Sequence, residues 1–165
     1  MNYYTKQTVF GLITITEDRG FITSLNFGKL TSKKLLTHKN VLSEPIAQAF
    51  FQLDEYLLGL RKDFDLPLNP KGTSFQQKVW SCLYKIPYGE TRTYKEIAEQ
   101  IGDENFCRAV GNANNKNPIP IFIPCHRVIG SDGCLTGYAG GLELKQQLLN
   151  LEKLNNQFPR QIGEG

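Results

Sequence analysis

Residues 93–115 read TYKEIAEQIGDENFCRAVGNANN, and this stretch decides the fold class. Thr93-Tyr-Lys-Glu96 is a capping box. The Thr93 hydroxyl can accept the Glu96 amide proton while the Glu96 carboxylate reaches back to the Thr93 amide. The helix that starts there is predicted to end near Gly102, a residue suited to the position just past a helix C-terminus. A further helix is predicted over 105–115. Two short helices with a Gly-containing turn between them read as a helix-turn-helix. Downstream, NPIPIFIP at 117–124 carries three prolines and cannot be helical. Arg127–Ile129 and Leu135–Tyr138 flank Gly-Ser-Asp-Gly, a hairpin signal. A helix-turn-helix followed by a hairpin is a winged helix. Upstream, Phe75, Val79, Cys82, Leu83 and Ile86 form a helical apolar stripe, closed by Pro87-Tyr-Gly89. Leu144, Leu148 and Leu151 give a last helix its buried face.

The N-terminal part has a different texture. Residues 8–16, TVFGLITIT, read as one strand, Asp18-Arg19-Gly20 as a turn, and Phe21–Phe27 as the return strand. Ser43 and Pro45 mark a helix start, followed by Ile46, Ala49, Phe50, Leu53, Leu57 and Leu60 at helical spacing. Residues 63–68, DFDLPL, are predicted to form one more strand, and Asn69-Pro-Lys-Gly-Thr73 has the composition of a linker. The fold class is therefore α+β: a small N-terminal α/β domain over 1–70, then a winged helix-turn-helix domain over 71–165.

Composition narrows the functional classes. The chain has 165 residues, 40% of them apolar, and a formal net charge of +3. DNA binding is permitted but must come from the placement of a few groups. No apolar run approaches the roughly 18 residues of a membrane span. The N-terminus lacks the basic and apolar regions of a secretory signal, so a cytoplasmic location is expected. Four cysteines, two histidines and no CxxC pair argue against a zinc site and against a disulfide framework. Free thiols in a reducing compartment are expected instead.

Pro124-Cys125-His126-Arg127-Val128 is the most informative stretch for chemistry. Cys125 ends a stiff apolar segment that can hold its side chain at one depth. A free thiol titrates near 8.5, so only about a few per cent is thiolate at neutral pH without help. A neighbouring imidazole can take its proton, directly or through one water, and His126 is the candidate. A carboxylate would orient that imidazole, but spacing alone does not choose one. Against this stands the plainer reading of a cysteine in an apolar context as core. Cys82 fits that reading, and Cys107 and Cys134 are taken as structural too.

The stretch Ile123-Pro-Cys-His-Arg-Val128 resembles the active-site motif of the O6-alkylguanine-DNA alkyltransferases. Arg108-Ala-Val-Gly-Asn-Ala113 with Asn117-Pro118, Pro87-Tyr-Gly-Glu-Thr with Thr93-Tyr94, and Gly137-Tyr138-Ala-Gly-Gly-Leu142 are similar to the family's other motifs, over about residues 74–154. The N-terminal part resembles the family in size and element order, which implies a ribonuclease H-like domain. The resemblance implies repair of double-stranded DNA carrying O6-alkylguanine, and O4-alkylthymine as well. The alkyl group moves irreversibly to Cys125, once per molecule, after base flipping from the minor groove.

In this resemblance His126 is the base, and Glu152 is the carboxylate that supports it. Asn117 braces the turn beside Cys125. Tyr94 crowds the target's 3′ phosphate and donates to the flipped base, and Thr93 lies beside it at the DNA. Arg108 fills the vacated stack, and Gly111 and Ala113 let the second helix approach the duplex closely. Tyr138, Ala139, Gly140 and Val128 line the substrate pocket. No cofactor and no metal are implied. Binding is expected to be largely independent of sequence, by a monomer, with no membrane partner.

Two departures stand out. Some relatives hold zinc through N-terminal cysteines that this chain lacks, and some carry Ser in place of Ala139. Three other readings compete: an alkyltransferase-like binding protein, which would lack Cys125; a winged-helix transcription factor with a structural cysteine; and a thiol hydrolase, which would turn over.

Overall fold

Asn2–Thr8 (β1), Gly11–Asp18 (β2) and Phe21–Phe27 (β3) form an antiparallel meander in the computed structural model, which describes residues 1–131 and 137–159. The run 8–16 is therefore not one strand. The chain reverses at Val9-Phe10, whose apolar side chains carry no turn signature. The reversal is made by Gly11 at φ +89, where a side chain is rarely tolerated. The Thr8 hydroxyl helps by donating to Gly11 O and accepting from Phe10 N. The Asp18-Arg19-Gly20 turn lies where its composition predicts, with Gly20 at φ +90.

Ser32–Leu35 (α1) leads to Lys39–Asn40 (β4), which pairs parallel with β1 and completes the sheet order β3-β2-β1-β4. Glu44–Leu57 (α2) buries Ile46, Ala49, Phe50, Leu53 and Tyr56, and Ile13, Ile15, Ile22 and Leu25 of the sheet are buried with them. Residues 63–68 do not form the predicted strand. Only an isolated bridge, Ile22 to Leu68, is present, because Pro67 has no N–H to extend a ladder. The preceding loop is tied by Gln52, whose carboxamide bonds both the N–H and the C=O of Asp65.

Residues 1–70 make one compact unit and residues 71–159 another. The second unit opens with Ser74–Tyr84 (α3), capped by a Thr73–Gln76 box. Its inward face is Val79, Trp80 and Leu83, while Phe75 and Cys82 are only half-buried. The Trp80 indole donates to Ala113 O at 2.9 Å. Arg92–Thr93 (β5) runs into Tyr94–Ile101 (α4), whose Thr93–Glu96 capping box is complete and whose C-cap is Gly102. A single 3-10 turn, Glu104–Phe106, then enters Cys107–Asn115 (α5).

The predicted wing is only partly visible. Val128–Ile129 (β6) pairs parallel with β5. Leu135 and Thr136 lie outside the described residues, and Gly137-Tyr138 is not in a strand. Leu142–Gln157 (α6) buries Leu144, Lys145, Leu148, Glu152 and Asn155. Its inner face is thus half polar, and Leu151 is only half-buried. Residues 145, 148, 152 and 155 repeat at helical spacing, so three polar side chains point into the unit with the leucine.

Candidate active site

Cys125 is delivered by a loop that is held from two sides. Asn117 is buried. Its Nδ2 donates to Ile123 O at 2.8 Å, and its Oδ1 accepts from Ile119 N at 3.0 Å. Between these anchors Ile121 sits at φ +73, a left-handed conformation unusual for a β-branched residue. Strain of this kind costs about 1–3 kcal/mol and persists only where the surroundings fix the backbone. Here the Asn117 carboxamide and the burial of residues 119–124 fix it. Cys125 itself is 4% exposed and starts the 3-10 turn Cys125–Arg127. From α5, Asn114 Nδ2 makes a long contact of 3.4 Å to Cys125 O.

Around the thiol lies a buried set of charges. His126 Nε2 is 2.5 Å from Glu152 Oε2, and both residues are essentially inaccessible. A hydrogen bond from Nε2–H to the carboxylate assigns the tautomer and leaves Nδ1 as the basic nitrogen. Arg127 Nε donates to Glu152 Oε1 at 2.7 Å and Nη2 to Oε2 at 3.2 Å. Gly89 N donates to Oε1 at 3.1 Å. Gly89 must be glycine: its φ is +78, and a Cβ would fall 1.9 Å from the Asn156 Nδ2. Lys145 is fully buried and donates from Nζ to Val128 O at 2.7 Å, with Nζ 6.0 Å from the centre of the Tyr94 ring.

These surroundings set the protonation states. Burial pushes the Cys125 thiol up to about 11, although the Asn117 side chain and the charge of Lys145 pull the other way. Burial likewise lowers His126, against the pull of Glu152. Burial alone would raise Glu152, but hydrogen bonds and charge from His126 and Arg127 outweigh it and hold the carboxyl at about 2. Burial lowers Lys145 to about 8. At neutral pH the resting site therefore holds a neutral thiol, a neutral imidazole and an ionised carboxylate.

A second feature lies on the outer side of α5. A cleft of about 460 Å³ is lined by Tyr94, Cys107, Arg108, Gly111, Asn112, Asn115 and Gly137. Arg108 is exposed. A Cβ on Gly111 would meet the Tyr94 ring at 3.9 Å, ordinary contact, so packing alone does not demand glycine there.

Comparison with known proteins identifies the assembly. Residues 74–154 match the DNA binding domain, and residues 1–70 the ribonuclease-like domain, of 6-O-methylguanine DNA methyltransferase. The chain belongs to this methyltransferase family. A constitutive methylated-DNA–protein-cysteine methyltransferase of Bacillus subtilis is 47% identical over 161 residues, covering 94% of this chain and 98% of that protein. The Mycobacterium tuberculosis relative of that name is 45% identical over 153 residues, 93% of each chain. The crystal structure of Mycobacterium tuberculosis OGT in complex with DNA matches with a TM-score of 0.85 and 44% identity, over 93% of this chain and 94% of that one.

Within this methyltransferase fold the structure brings Cys125, His126, Asn117 and Glu152 together in the second unit, and puts Tyr94, Arg108 and Gly111 on one cleft. Thr93 is spent on capping α4. Two placements differ from the sequence reading. Ala113 is buried, and its carbonyl accepts from Trp80, so it faces the core and not a duplex. Val128 has no accessible surface and pairs with Arg92, which makes it a core strand residue and not a pocket wall. Tyr138 is half-buried, with its hydroxyl inside and raised well above the usual phenol range by burial, then by Cys125 and Glu152. Ala139 is exposed and Gly140 half-buried. Cys107, read as structural, is half-buried on the cleft, and Cys134 lies outside the described residues.

Sequence reasoning assigned no role to Arg127 or Lys145. A signal for Arg127 was its place beside the Cys-His pair. For Lys145 it was the sevenfold spacing to Glu152, which sets both on one face of a helix.

Proposed function

We propose that the protein repairs alkylated DNA by moving the alkyl group from O6 of guanine onto Cys125 Sγ, once per molecule. The observation that carries this reading is the buried Cys125 beside a His126–Glu152 pair, in a unit whose helix-turn-helix offers a cleft with an exposed arginine. The thiol proton passes to His126 Nδ1, directly or through one water. The thiolate attacks the alkyl carbon in line, the S–C bond forms and the C–O bond breaks. The electron pair leaves with O6, and the guanine takes up at its ring nitrogen the equivalent of the proton that the thiol gave up, returned from His126 through solvent, to become the ordinary lactam. The thioether does not exchange or hydrolyse under cell conditions, so the protein is consumed. A thiol held neutral at rest and activated only with its base in place resists adventitious alkylation.

DNA enters through the cleft beside α5. The target nucleotide is flipped from the minor groove, Arg108 fills the vacated space, and Tyr94 crowds the adjoining phosphate. Flipping costs a few kcal/mol, which an inserted side chain partly offsets. Contacts are mainly to phosphate, so binding is largely independent of sequence and weakens with salt. The protein acts as a monomer in a reducing, cytoplasmic environment, and O4-alkylthymine is a second substrate.

The test is mass spectrometry after incubation with an oligonucleotide containing O6-methylguanine. One methyl group is expected, mapping to Cys125. Cys125→Ser should abolish transfer and keep DNA affinity, because the helix-turn-helix is untouched. A methyl group on Cys82, Cys107 or Cys134 instead would overturn the assignment.

A further inference from the structure

Arg127 makes two hydrogen bonds to Glu152, one to each carboxylate oxygen. His126 and the Gly89 amide bond the same carboxylate. Arg127 is itself fixed: Nη1 donates to Ile86 O at 2.6 Å, and the guanidinium lies 5.6 Å from the centre of the Tyr88 ring. A single buried carboxylate is thus shared between an imidazole and an arginine fork, and the geometry of that fork suits two parallel bonds to a carboxylate.

The charge count shows what the fork does. At rest Arg127 and Glu152 cancel, so His126 can stay neutral with its proton on Nε2. When the thiol proton moves to Nδ1, thiolate, imidazolium, carboxylate and guanidinium again sum to zero. Without Arg127 the buried Glu152 carboxylate would lose the cation bonded to both its oxygens, and low-dielectric surroundings disfavour a buried carboxylate so stripped. The pair would take up a proton from solvent at neutral pH. Glu152 would then bond Nε2 as an acid, or the ring would be an imidazolium. In both states Nδ1 already carries hydrogen and cannot receive the thiol's.

We propose that Arg127 is a positioning residue for alkyl transfer: by binding both oxygens of Glu152 it keeps that carboxylate ionised before reaction, and so keeps His126 Nδ1 open as the base for Cys125. This rests on Cys125 being the alkyl acceptor. Other groups face the pair as well. Tyr88 comes from the 86–89 turn and Tyr138 from the loop before α6; both are raised by burial and stay protonated through the relevant range. Lys145 acts on Cys125 and His126 from α6. It is common to all the variants below, so ratios between them remove its titration.

The experiment follows the rate of Cys125 alkylation against pH, using iodoacetamide and, separately, an O6-methylguanine oligonucleotide. The proteins are the native chain, Arg127→Met, Arg127→Lys, Glu152→Gln and the double variant Arg127→Met/Glu152→Gln. Arg127→Met should move the acid limb of the profile up by about one pH unit, lowering the rate at pH 7 about tenfold, with recovery as pH rises. Arg127→Lys keeps the charge without the fork and should fall between. The double variant holds no unpaired buried charge, so it serves if Arg127→Met does not fold. Its rate should not fall below that of Glu152→Gln alone, because Arg127 supports the reaction through Glu152 and its own charge on His126 only weakens that base. An acid limb unmoved in Arg127→Met, or a double variant about tenfold slower than Glu152→Gln, would overturn the proposal. The iodoacetamide profile does not depend on what the DNA substrate is. A failure there counts against Arg127, whereas a native protein that takes no methyl group from the oligonucleotide counts against the function proposed above.

Discussion

Cys125 and His126 are neighbours in the chain, and their chemistry was legible there because a thiol and a base stood together after a rigid apolar run. Glu152 was not. It lies 26 residues from His126 in the chain, and as a helix carboxylate it resembles many solvated ones. Only the packed unit shows that it is 1% exposed with donors from Gly89, His126 and Arg127 around it. Replacing Glu152 by Gln removes the charge that supports an imidazolium. Alkyl transfer should slow by about one to two orders of magnitude, at or below the lower end of the roughly hundredfold to ten-thousandfold ascribed to general-base catalysis, because His126 itself remains. The apparent pKa of the reactive thiol, read from pH-dependent alkylation of the folded protein, should rise. An unchanged rate and profile would reduce Glu152 to a structural residue.

At the scale of elements, α5 carries two tasks on two faces. Arg108, Gly111, Asn112 and Asn115 face the cleft, whereas Val110, Ala113 and Asn114 face the core. Helical period and the capping box made α4 and α5 readable, but not which small residue lay on which face; Ala113 was assigned to the wrong one. Removing the Arg108 side chain should slow repair of duplex DNA far more than reaction with a free O6-alkylated base, which needs no flipping. Equal losses on both substrates would give Arg108 another role. The loop 137–141 makes a separate prediction. It has no bulky side chain besides Tyr138, so O6-benzylguanine should inactivate the protein. Overpacking costs about 1–3 kcal/mol, so Gly140→Trp should suppress that reaction about tenfold or more while sparing methyl transfer. A native protein that ignores the benzyl compound while repairing O6-methylguanine would show the loop to be closed for another reason.

For the molecule as a whole, the buried charges predict how stability varies with pH. The folded-state pKa of Glu152 is depressed from 4.5 to about 2. Its contribution is therefore present above pH 4.5 and lost as pH falls towards 2, an amount of about 3 kcal/mol. His126 is also depressed, below 6.5, so it works in the same direction from a higher starting point. The urea midpoint of the second unit, followed by the fluorescence of Trp80, the one tryptophan, should fall from pH 6.5 downward and continue to fall below pH 4.5. A midpoint flat between pH 4.5 and 2.5 would mean that Glu152 is not held ionised. The sequence by itself determined the local and the periodic: the capping boxes, the proline-locked segment ahead of Cys125, the α2 and α4 helices and the adjacent thiol and imidazole, since each depends on residues within a turn or two of one another. Only the tertiary structure decided the rest. The Val9-Phe10 reversal, the lost strand at 63–68, the pairing of β6 with β5, and above all the meeting of His126, Arg127, Gly89 and Lys145 around Glu152 and Cys125 depend on long-range packing. The strength of a charge there is set by burial and by partners distant in the chain, and neither is written in any one stretch of sequence.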